Sequence, residues 1–309
     1  MLVTGGCGYV GTRLTQSLLA RGHRVTVLDA MWFGNFLPPH PSLTVITHDM
    51  RQIDSFDLAP YDTIFHLANI ANDPAVELNP YASWDVNVLA TMRLAERAAR
   101  QGVQQLVFAS SGSVYGVSDE PRVTEDTPLN PISEYNKTKM VAERVVLSYA
   151  GSLVASVIRP ATVCGPSPRM RFDLTVNLLT MQALTRKAMT VFGGSQIRPN
   201  IHIDDLVGVY LFALDRRLPG VYNAGFENLS VLEIAQRIAA RVPADITIEP
   251  SSDPRSYRQC SDALVAAGFT PAKSVATAVE ELAALHAAGQ LRDEPWTHNV
   301  SWMKQHNLS

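Results

Sequence analysis

Residues 1–29 read MLVTGGCGYVGTRLTQSLLARGHRVTVLD, and this stretch decides the fold. A short apolar strand runs into a turn with four glycines, an amphipathic helix follows, and a second strand from Val25 to Leu28 ends at Asp29. Glycine lets a backbone approach a pyrophosphate closely, and the free N–H groups of a helix start favour its negative charge. A carboxylate at Asp29 can accept hydrogen bonds from an adenosine ribose. The stretch therefore predicts a dinucleotide-binding unit with its turn at Gly5, Gly6, Gly8 and Gly11.

The rest of the first 165 residues alternates strand and helix patterns, which is typical of a doubly wound parallel sheet. In such sheets ligands bind beyond the carboxyl ends of the strands. The glycine turn, Asp29, Asp49, Ala68 and Ser111 should therefore border one crevice. The further elements predicted here are strands at 43–47, 63–67 and 105–109, and helices at 84–101 and from Ser133 to about 150.

From Pro166 onward the composition shifts, which predicts a smaller C-terminal α/β substrate lobe on the Rossmann-like sheet. Residues 1–166 plus about 194–225 are assigned to the dinucleotide-binding domain, and about 167–193 and 226–309 to the substrate lobe. The tail, with two tryptophans, is expected to pack on the body. The elements predicted here are helices at 178–190, 204–214, from a capping box at Ser230 to 241 and from Ser274 to about 288, and strands at 190–192, 200–203, 221–224 and 246–248.

Tyr135 and Lys139 stand four residues apart in the helix that Ser133 caps. Residues at this spacing share one helix face, so the ammonium can lie near the phenol. A nearby positive charge favours the ionised phenol and lowers its pKa. The pair is therefore a candidate for proton transfer, with a solvated helix face as the structural alternative.

Composition excludes several classes of function. The net charge of -3 and a pI near 6.2 give no basic field for nucleic acid or an anionic membrane surface. No apolar stretch approaches the roughly 18 residues of a membrane span, and the strand at the N-terminus leaves no room for a signal peptide. Three cysteines with no paired spacing indicate reduced thiols in a cytoplasmic protein.

No metal site is predicted, because no cluster of histidine, cysteine and carboxylate residues has ligand spacing. His66 and His202 both lie within apolar strand patterns. A histidine in that setting is most often a structural residue with satisfied hydrogen bonds. We therefore assign neither histidine to catalysis.

These motifs together resemble the extended short-chain dehydrogenases/reductases, and within them the sugar-nucleotide epimerases and dehydratases. The resemblance covers nearly the whole chain. It rests on the glycine pattern, Asp29, His66-Leu67-Ala68, Asn87, the segment from Ser110 to Gly116, the Tyr135/Lys139 pair, Arg159-Pro160, Gly165-Pro166, Gly193-Gly194, Arg198, His202-Ile203-Asp204-Asp205 and Arg255-Ser256-Tyr257-Arg258.

The resemblance implies a catalytic group and a cofactor site. Tyr135 would be the catalytic base and acid, Lys139 would lower its pKa and hold the nicotinamide ribose, and Ser111 would bind the reacting hydroxyl. The cofactor would be NAD, because Asp29 repels a 2′-phosphate and the next residues, Ala30 and Met31, offer no cation. The cofactor-binding residues implied are Gly5, Gly8, Tyr9, Val10, Gly11, Asp29, Asp49, Met50, Leu67, Ala68, Asn69, Asn87, Ser110, Tyr135, Lys139 and Pro160.

The resemblance also implies a nucleotide-diphosphate sugar as substrate and a homodimer formed through the helices around 84–101 and 134–150. Arg169 and Arg171 suit phosphate oxygens, with a solvated loop as the alternative for Arg169, and Phe172 could pack on a base. The substrate-binding residues implied are Ser111, Ser113, Thr162, Arg171, Asn177, Arg198 and Arg258.

Departures from the family pattern favour one reaction. The dehydratases carry an acidic pair where this chain has Gly112 and Ser113, and the decarboxylases carry a glutamate where it has Ser113. The expected activity is therefore epimerisation of a nucleotide-diphosphate hexose at C4 by transient oxidation. A dehydratase using other groups, a keto-sugar reductase and a non-catalytic NAD-binding sensor are the alternatives.

Overall fold

The computed structural model describes residues 1–251 and 256–308. Its strands are β1 (Leu2–Thr4), β2 (Val25–Asp29), β3 (Leu43–Thr47), β4 (Thr63–His66), β5 (Gln105–Ala109), β6 (Val154–Pro160), β7 (Thr162–Cys164), β8 (Ala188–Phe192), β9 (Ile197–His202), β10 (Gly220–Ala224), β11 (Glu227–Ser230) and β12 (Asp245–Glu249). Its helices are α1 (Tyr9–Ala20), α2 (Asp73–Val76), α3 (Pro80–Trp84), α4 (Ala90–Arg100), α5 (Glu134–Ser148), α6 (Thr175–Arg186), α7 (Ile203–Arg216), α8 (Val231–Ala239), α9 (Asp262–Ala266), α10 (Val275–Ala287) and α11 (Asn299–His306).

Seven parallel strands form the central sheet in the order β10-β6-β5-β4-β1-β2-β3. The chain winds outward from β1 to β3 and then crosses to β4 on the other side of β1. This reversal leaves a crevice beyond the carboxyl ends of β1 and β4, where ligands bind in sheets of this kind. The predicted doubly wound, Rossmann-like fold is confirmed.

Helices cover both faces of the sheet. On one face, Leu14 and Leu18 of α1 share a buried cluster with Tyr210 of α7. On the other, Leu94 of α4 and Val146 of α5 pack in a second buried cluster. Strands buried from both sides need apolar side chains in both directions, which explains the continuous apolar runs in the sequence.

The later part of the chain adds two small sheets. One has the order β11-β9-β7 and the other pairs β12 with β8 in parallel. The core of this later part is formed by α6, α8 and α10, whose side chains Leu179, Ile234 and Val279 are buried together. Strand β10 returns to the central sheet beside β6, as the sequence predicted.

Several local predictions are confirmed. The side chains of Ser133 and Ser274 accept hydrogen bonds from backbone N–H groups in the first turns of α5 and α10. Ser230 and Glu233 form the expected capping box of α8. The tail packs on the body, because the indole of Trp302 in α11 donates to the carbonyl oxygen of Trp32 at 2.7 Å.

Other predictions were wrong in detail. Helix α6 begins at Thr175 and ends at Arg186, because Lys187 takes a left-handed conformation (φ 55°) that starts β8 early. The helix expected at 84–101 runs as α3, a π turn at Asp85–Leu89 and α4. Met92 of α4 is 42% exposed. Strands β6, β7 and β11 were not predicted. In the described ranges, no helix has the length and apolar character to cross a membrane.

Candidate active site

A cavity of about 530 Å³ opens beyond the carboxyl ends of the central strands. It is bordered by the glycine turn after β1, Asp29 at the end of β2, Leu67 after β4 and Ala109 at the end of β5. The predicted site residues that line it are Gly5, Gly8, Tyr9, Val10, Gly11, Asp29, Asp49, Met50, Leu67, Ala68, Asn69, Ser110, Ser111, Ser113, Tyr135, Lys139, Pro160, Thr162, Arg171 and Arg198. The structure therefore brings the two predicted sites into one cavity.

The glycine turn has no space for side chains. A Cβ on Gly11 would lie 2.1 Å from the carbonyl oxygen of Gly5, and a Cβ on Gly5, whose φ is +72°, would lie 2.6 Å from the amide nitrogen of Ala68. Helix α1 begins after Gly8 without a side-chain cap, so its first N–H groups have no side-chain acceptor. A bare backbone turn at a helix start fits the diphosphate of a dinucleotide.

Asp29 is held by backbone N–H groups at the edge of this turn. Its Oδ2 accepts from Cys7 at 2.9 Å and its Oδ1 from Met31 at 2.8 Å. Burial raises the pKa of Asp29, and these two hydrogen bonds act against the rise. Further along the cavity Asp49 is paired with Arg51, Nη2 to Oδ2 at 2.6 Å. The Arg51 cation thus neutralises Asp49, and Asp29 remains the carboxylate suited to ribose hydroxyls.

Tyr135, Ser111, Ser113 and Lys139 line one wall of the cavity, which we call the catalytic wall after the role predicted for it. The Oγ of Ser111 lies 2.8 Å from that of Ser113. Burial raises the pKa of Tyr135 to about 12, and the charge of Asp73 raises it further. Arg171 and the Ser111 side chain oppose this rise.

Lys139 lies beside Tyr135, as the four-residue spacing predicted. Its Nζ donates to the carbonyl oxygen of Ala109 at 2.8 Å and lies 6.0 Å from the centroid of the Tyr135 ring. Burial lowers the pKa of Lys139 to about 7, and Glu143 opposes this shift. Arg171 is a cation that lowers the pKa of Tyr135, and the role of Lys139 stays a prediction.

Three predicted binding residues lie outside the cavity lining. Asn87 is buried, with its amide bonded to both backbone groups of Ile70. Asn177 is also buried: its Oδ1 accepts from Gly165, and its Nδ2 donates to Tyr9. Both asparagines therefore support the wall of the cavity instead of touching its contents.

Arg258 is exposed and lines a separate hollow of about 280 Å³. The neighbouring Tyr257 lines the main cavity in its place. Arg255, quoted in the same motif, lies outside the described residues.

The loop before α6 departs from its prediction at two positions. Phe172 is 1% exposed and packs in a buried cluster with Tyr9, so it is not available to stack on a base. Arg169 is 2% exposed and lines the cavity, so the solvated alternative was wrong. Arg171 faces the cavity with its side chain 12% exposed and is paired with Asp173, Nη2 to Oδ2 at 2.8 Å.

Sequence reasoning missed several residues of the cavity wall. Asn72 and Asp73 come from the loop after β4, where Asn72 also donates to Asp173 at 3.0 Å. Asn299 comes from α11, far along the chain. A polar loop after a central strand was a usable signal for the first two, whereas nothing local points to Asn299.

His66 is a structural residue as predicted, because its ring nitrogens are bonded to Thr4 at 2.7 Å and Thr91 at 2.8 Å. Burial lowers the pKa of His66 to about 3, so the ring is neutral. His202, in contrast, has an acidic partner that the sequence did not reveal: its Nε2 lies 3.1 Å from Glu281.

His202, Asp204 and Glu281 lie close enough together to suggest a metal site. The His202 Nδ1 already accepts from the Asp204 backbone, while Lys273 and Arg13 supply cations to the two carboxylates. The charge balance is therefore met by side chains, and we assign no metal to this cluster.

Known proteins share this sequence and architecture. A sequence model described as the NAD dependent epimerase/dehydratase family matches residues 1–225. A UDP-glucose 4-epimerase of Lactobacillus helveticus is 27% identical over 288 residues, 83% of this chain and 87% of the relative. A UDP-glucuronic acid decarboxylase 1 of Danio rerio is 30% identical over 276 residues, 84% of this chain and 65% of the relative.

A solved structure of an NAD dependent NDP-hexosamine 5,6-dehydratase, TunA, involved in tunicamycin biosynthesis, superposes with a TM-score of 0.85. It is 27% identical, and the match covers 94% of this chain and 98% of that chain. These three similar proteins carry out three different reactions by name, so similarity alone leaves the reaction open.

Proposed function

This protein belongs to the NAD dependent epimerase/dehydratase family, and from that premise we propose that it is an NAD-dependent epimerase of a nucleotide-diphosphate hexose, acting at C4. The observation that carries the proposal is the composition of the catalytic wall. Tyr135, Ser111 and Ser113 line the cavity together, and the position between the two serines is a glycine.

The space beside Gly112 supports epimerisation over dehydration. A Cβ on Gly112 would lie 2.9 Å from Oε1 of Gln259 and 3.0 Å from the hydroxyl of Tyr257. Gln259 is anchored by a hydrogen bond to the carbonyl oxygen of Arg159 at 2.7 Å. An acidic side chain therefore has no room at position 112, and Ser113 supplies only a hydroxyl.

The residues of the wall suit a reversible proton transfer. When bound, NAD supplies a reversible hydride acceptor, so no net oxidation is needed. Ser111 holds the sugar hydroxyl, and the Tyr135 phenolate takes its proton and later returns it. Arg171 and the Ser111 side chain favour the phenolate against the effect of burial. Rotation of the keto-sugar between the two proton transfers would give the epimer.

A nucleotide-diphosphate sugar fits the other end of the cavity. Arg171, Thr162 and Arg198 line it, and guanidinium groups bind phosphate oxygens with two hydrogen bonds. Two of the similar proteins act on UDP-sugars by name. We therefore take a UDP-hexose as the first substrate to test, and we assign residues from about 167 to 193 and from about 226 onward to the lobe that binds it.

A dehydratase is the second candidate, because one carboxylate lies near the catalytic wall. Asp73 lines the same cavity, and its charge raises the pKa of Tyr135. A carboxylate at this place could remove or donate a proton in an elimination. The dehydratase TunA shares this fold, which keeps the alternative open to experiment.

We also propose a homodimer formed through the helices around 84–101 and 134–150. Leu89 and Met92 are 41% and 42% exposed, one turn apart on this surface. A second copy of the chain would cover them. Multi-angle light scattering should give a dimer for the wild type and a monomer for Met92→Glu; a monomeric wild type would contradict the proposal.

The test of the function is proton NMR with mass spectrometry on protein incubated with NAD and a panel of UDP-, GDP-, CDP- and dTDP-hexoses. We expect a product of unchanged mass with an inverted C4 centre. A product lighter by one water would favour the dehydratase. Unchanged substrates would favour a reductase, tested next with keto-sugars and reduced cofactor.

Tyr135→Phe separates catalysis from sensing. We expect it to lower turnover by roughly 10²–10⁴-fold while NAD still binds, because only the proton-transfer group is lost. Tyr81→Phe, at a tyrosine that is 87% exposed, is the matched control and should keep full activity. Full activity of Tyr135→Phe would contradict the assigned role.

A further inference from the structure

Arg169 is a buried cation in the wall of the cavity. The residue is 2% exposed, and its guanidinium lies 4.1 Å from the centroid of the Phe33 ring. One terminal nitrogen donates to Oδ1 of Asn299 at 2.6 Å, and the other to the carbonyl oxygen of Met170 at 3.4 Å. All of these partners are neutral.

Arg169 forms no ion pair with a described residue, although the charges of Asp173 and Asp29 raise its pKa from a distance. Its Nε is buried without a hydrogen-bond partner, and within residues 1–251 and 256–308 no carboxylate oxygen lies within 4.0 Å of it. Burial lowers the pKa of Arg169 to about 9, with Arg171 adding to the effect, so the group is still charged at neutral pH. A desolvated cation without an ionic partner is unfavourable, and an anion entering the cavity would relieve it.

The neighbours of Arg169 identify the anion. Arg169 packs on Phe33, which follows Asp29 closely in the chain, and all three residues line the cavity. The charges of Asp173 and Asp29 both raise the pKa of Arg169. Asp29 itself is already held by the N–H groups of Cys7 and Met31. The residue thus stands at the cofactor end of the cavity, where a diphosphate is the anionic part of the ligand and suits the guanidinium fork.

We propose that Arg169 binds the diphosphate of NAD, as a side-chain contact added to the backbone contacts of the glycine turn. The inference rests on the cofactor assigned in the proposed function. The inference extends that assignment because Arg169 comes from the loop before α6, which the sequence analysis assigned to the binding of the sugar nucleotide.

The C-terminal helix holds Arg169 in place. Asn299, Val300 and Met303 of α11 line the cavity, and Asn299 is the polar side chain bonded to the guanidinium. The segment is anchored to the body where Phe172 donates to the carbonyl oxygen of Thr297 at 2.9 Å. Asn299 is therefore a positioning residue, and α11 forms part of the cofactor site.

The test compares Arg169→Met with Arg216→Met by calorimetric titration of NAD, ADP-ribose and adenosine. Arg216 is the matched control, because its guanidinium lies 5.7 Å from the centroid of Phe212 on an exposed helix face outside the cavity. Losing a charge-assisted contact to phosphate should weaken NAD and ADP-ribose by roughly 10- to 100-fold in Arg169→Met. Adenosine, which lacks phosphate, should bind as in the wild type. Arg169→Lys should fall between, since it keeps the charge without the fork.

Thermal unfolding distinguishes this role from a structural one. Because methionine replaces a buried cation with an apolar chain, the ligand-free variant should melt at or above the wild-type temperature. The stabilisation added by NAD should be smaller than in the wild type. Asn299→Ala should weaken NAD in the same direction by a smaller factor.

Two outcomes would overturn the proposal. These are equal NAD affinity in Arg169→Met and the wild type, and an equal loss for adenosine. The test is independent of sugar chemistry. If the wild type binds NAD but converts no sugar, the proposed function fails while the inference stands; if the wild type binds no NAD, both fail.

Discussion

The two ends of the cavity are built by opposite means. At the proposed cofactor end, the turn at Gly5, Gly8 and Gly11 presents only backbone atoms to the cavity. A Cβ at Gly5 or Gly11 would clash with neighbouring backbone. At the substrate end, Arg171 and Asp173 present charged side chains held in an ion pair. A backbone turn recognises a diphosphate by shape, so any added atom disturbs it, whereas paired side chains recognise charge and can be exchanged without altering the shape.

The largest effect should follow from Gly11→Ala. Its Cβ would lie 2.1 Å from the carbonyl oxygen of Gly5 and 2.7 Å from Cα of Gly6, so the turn must open or α1 must shift. We expect NAD affinity to fall by more than about 100-fold and the free energy of unfolding to fall by roughly 1–3 kcal/mol, as for overpacking in a rigid site. NAD titration and urea unfolding measure the two effects.

Gly151→Ala is the control for this prediction, because a Cβ there would meet nothing within 4 Å. It should leave both quantities unchanged. Wild-type NAD affinity in Gly11→Ala would show that NAD binding does not depend on the close backbone packing of the glycine turn.

A smaller effect, confined to the other end, is expected from Arg171→Gln. The substitution removes the cation facing the cavity but leaves Asp173 with a hydrogen bond from Asn72 at 3.0 Å. The KM for the sugar nucleotide should rise by roughly 10- to 100-fold, since a charge-assisted contact to phosphate is lost. Equilibrium titration should show unchanged NAD affinity.

The matched control is Arg51→Gln, which breaks the Arg51–Asp49 pair near the cofactor end. It should leave the KM for the sugar unchanged. If Arg171→Gln weakened NAD as strongly as the sugar, the two ends would not be separable.

Local and long-range features differ in how far the sequence predicted them. The β1–α1–β2 unit, the caps at Ser133 and Ser274 and the Tyr135/Lys139 pair depend on contacts within a few turns of chain, and the sequence pattern records such contacts directly. These features were predicted with nearly correct bounds.

The features that the sequence missed depend on contacts between distant segments. Arg169 meets Asn299 across 130 residues, and His202 meets Glu281 across 79 residues. Periodicity carries no information on such pairs, so Phe172 was placed in the cavity although it is buried, and Arg258 was placed there although it lines another hollow. Asn87 and Asn177 were placed by the family pattern, which identifies the residue but not which of its neighbours it contacts.

The smallest effect is a shift of the pH profile in Asp73→Asn. The rise of kcat with pH should report the loss of the Tyr135 proton. The Asp73 carboxylate disfavours the phenolate and so raises the pKa of Tyr135. With a neutral amide, that pKa should fall, and the half-maximal rate should move to lower pH by about one unit or less.

Arg171→Gln should move the same profile in the opposite direction, because Arg171 lowers the pKa of Tyr135. Opposite shifts in the two variants would show that Asp73 and Arg171 set the proton affinity of the Tyr135 phenol, so Arg171 serves chemistry as well as binding. Asp57→Asn, at an exposed aspartate outside the cavity lining, should leave the profile unchanged. If all three profiles coincided with that of the wild type, the rise of kcat with pH would report the titration of a group other than Tyr135. Arg171 would then contribute to binding alone.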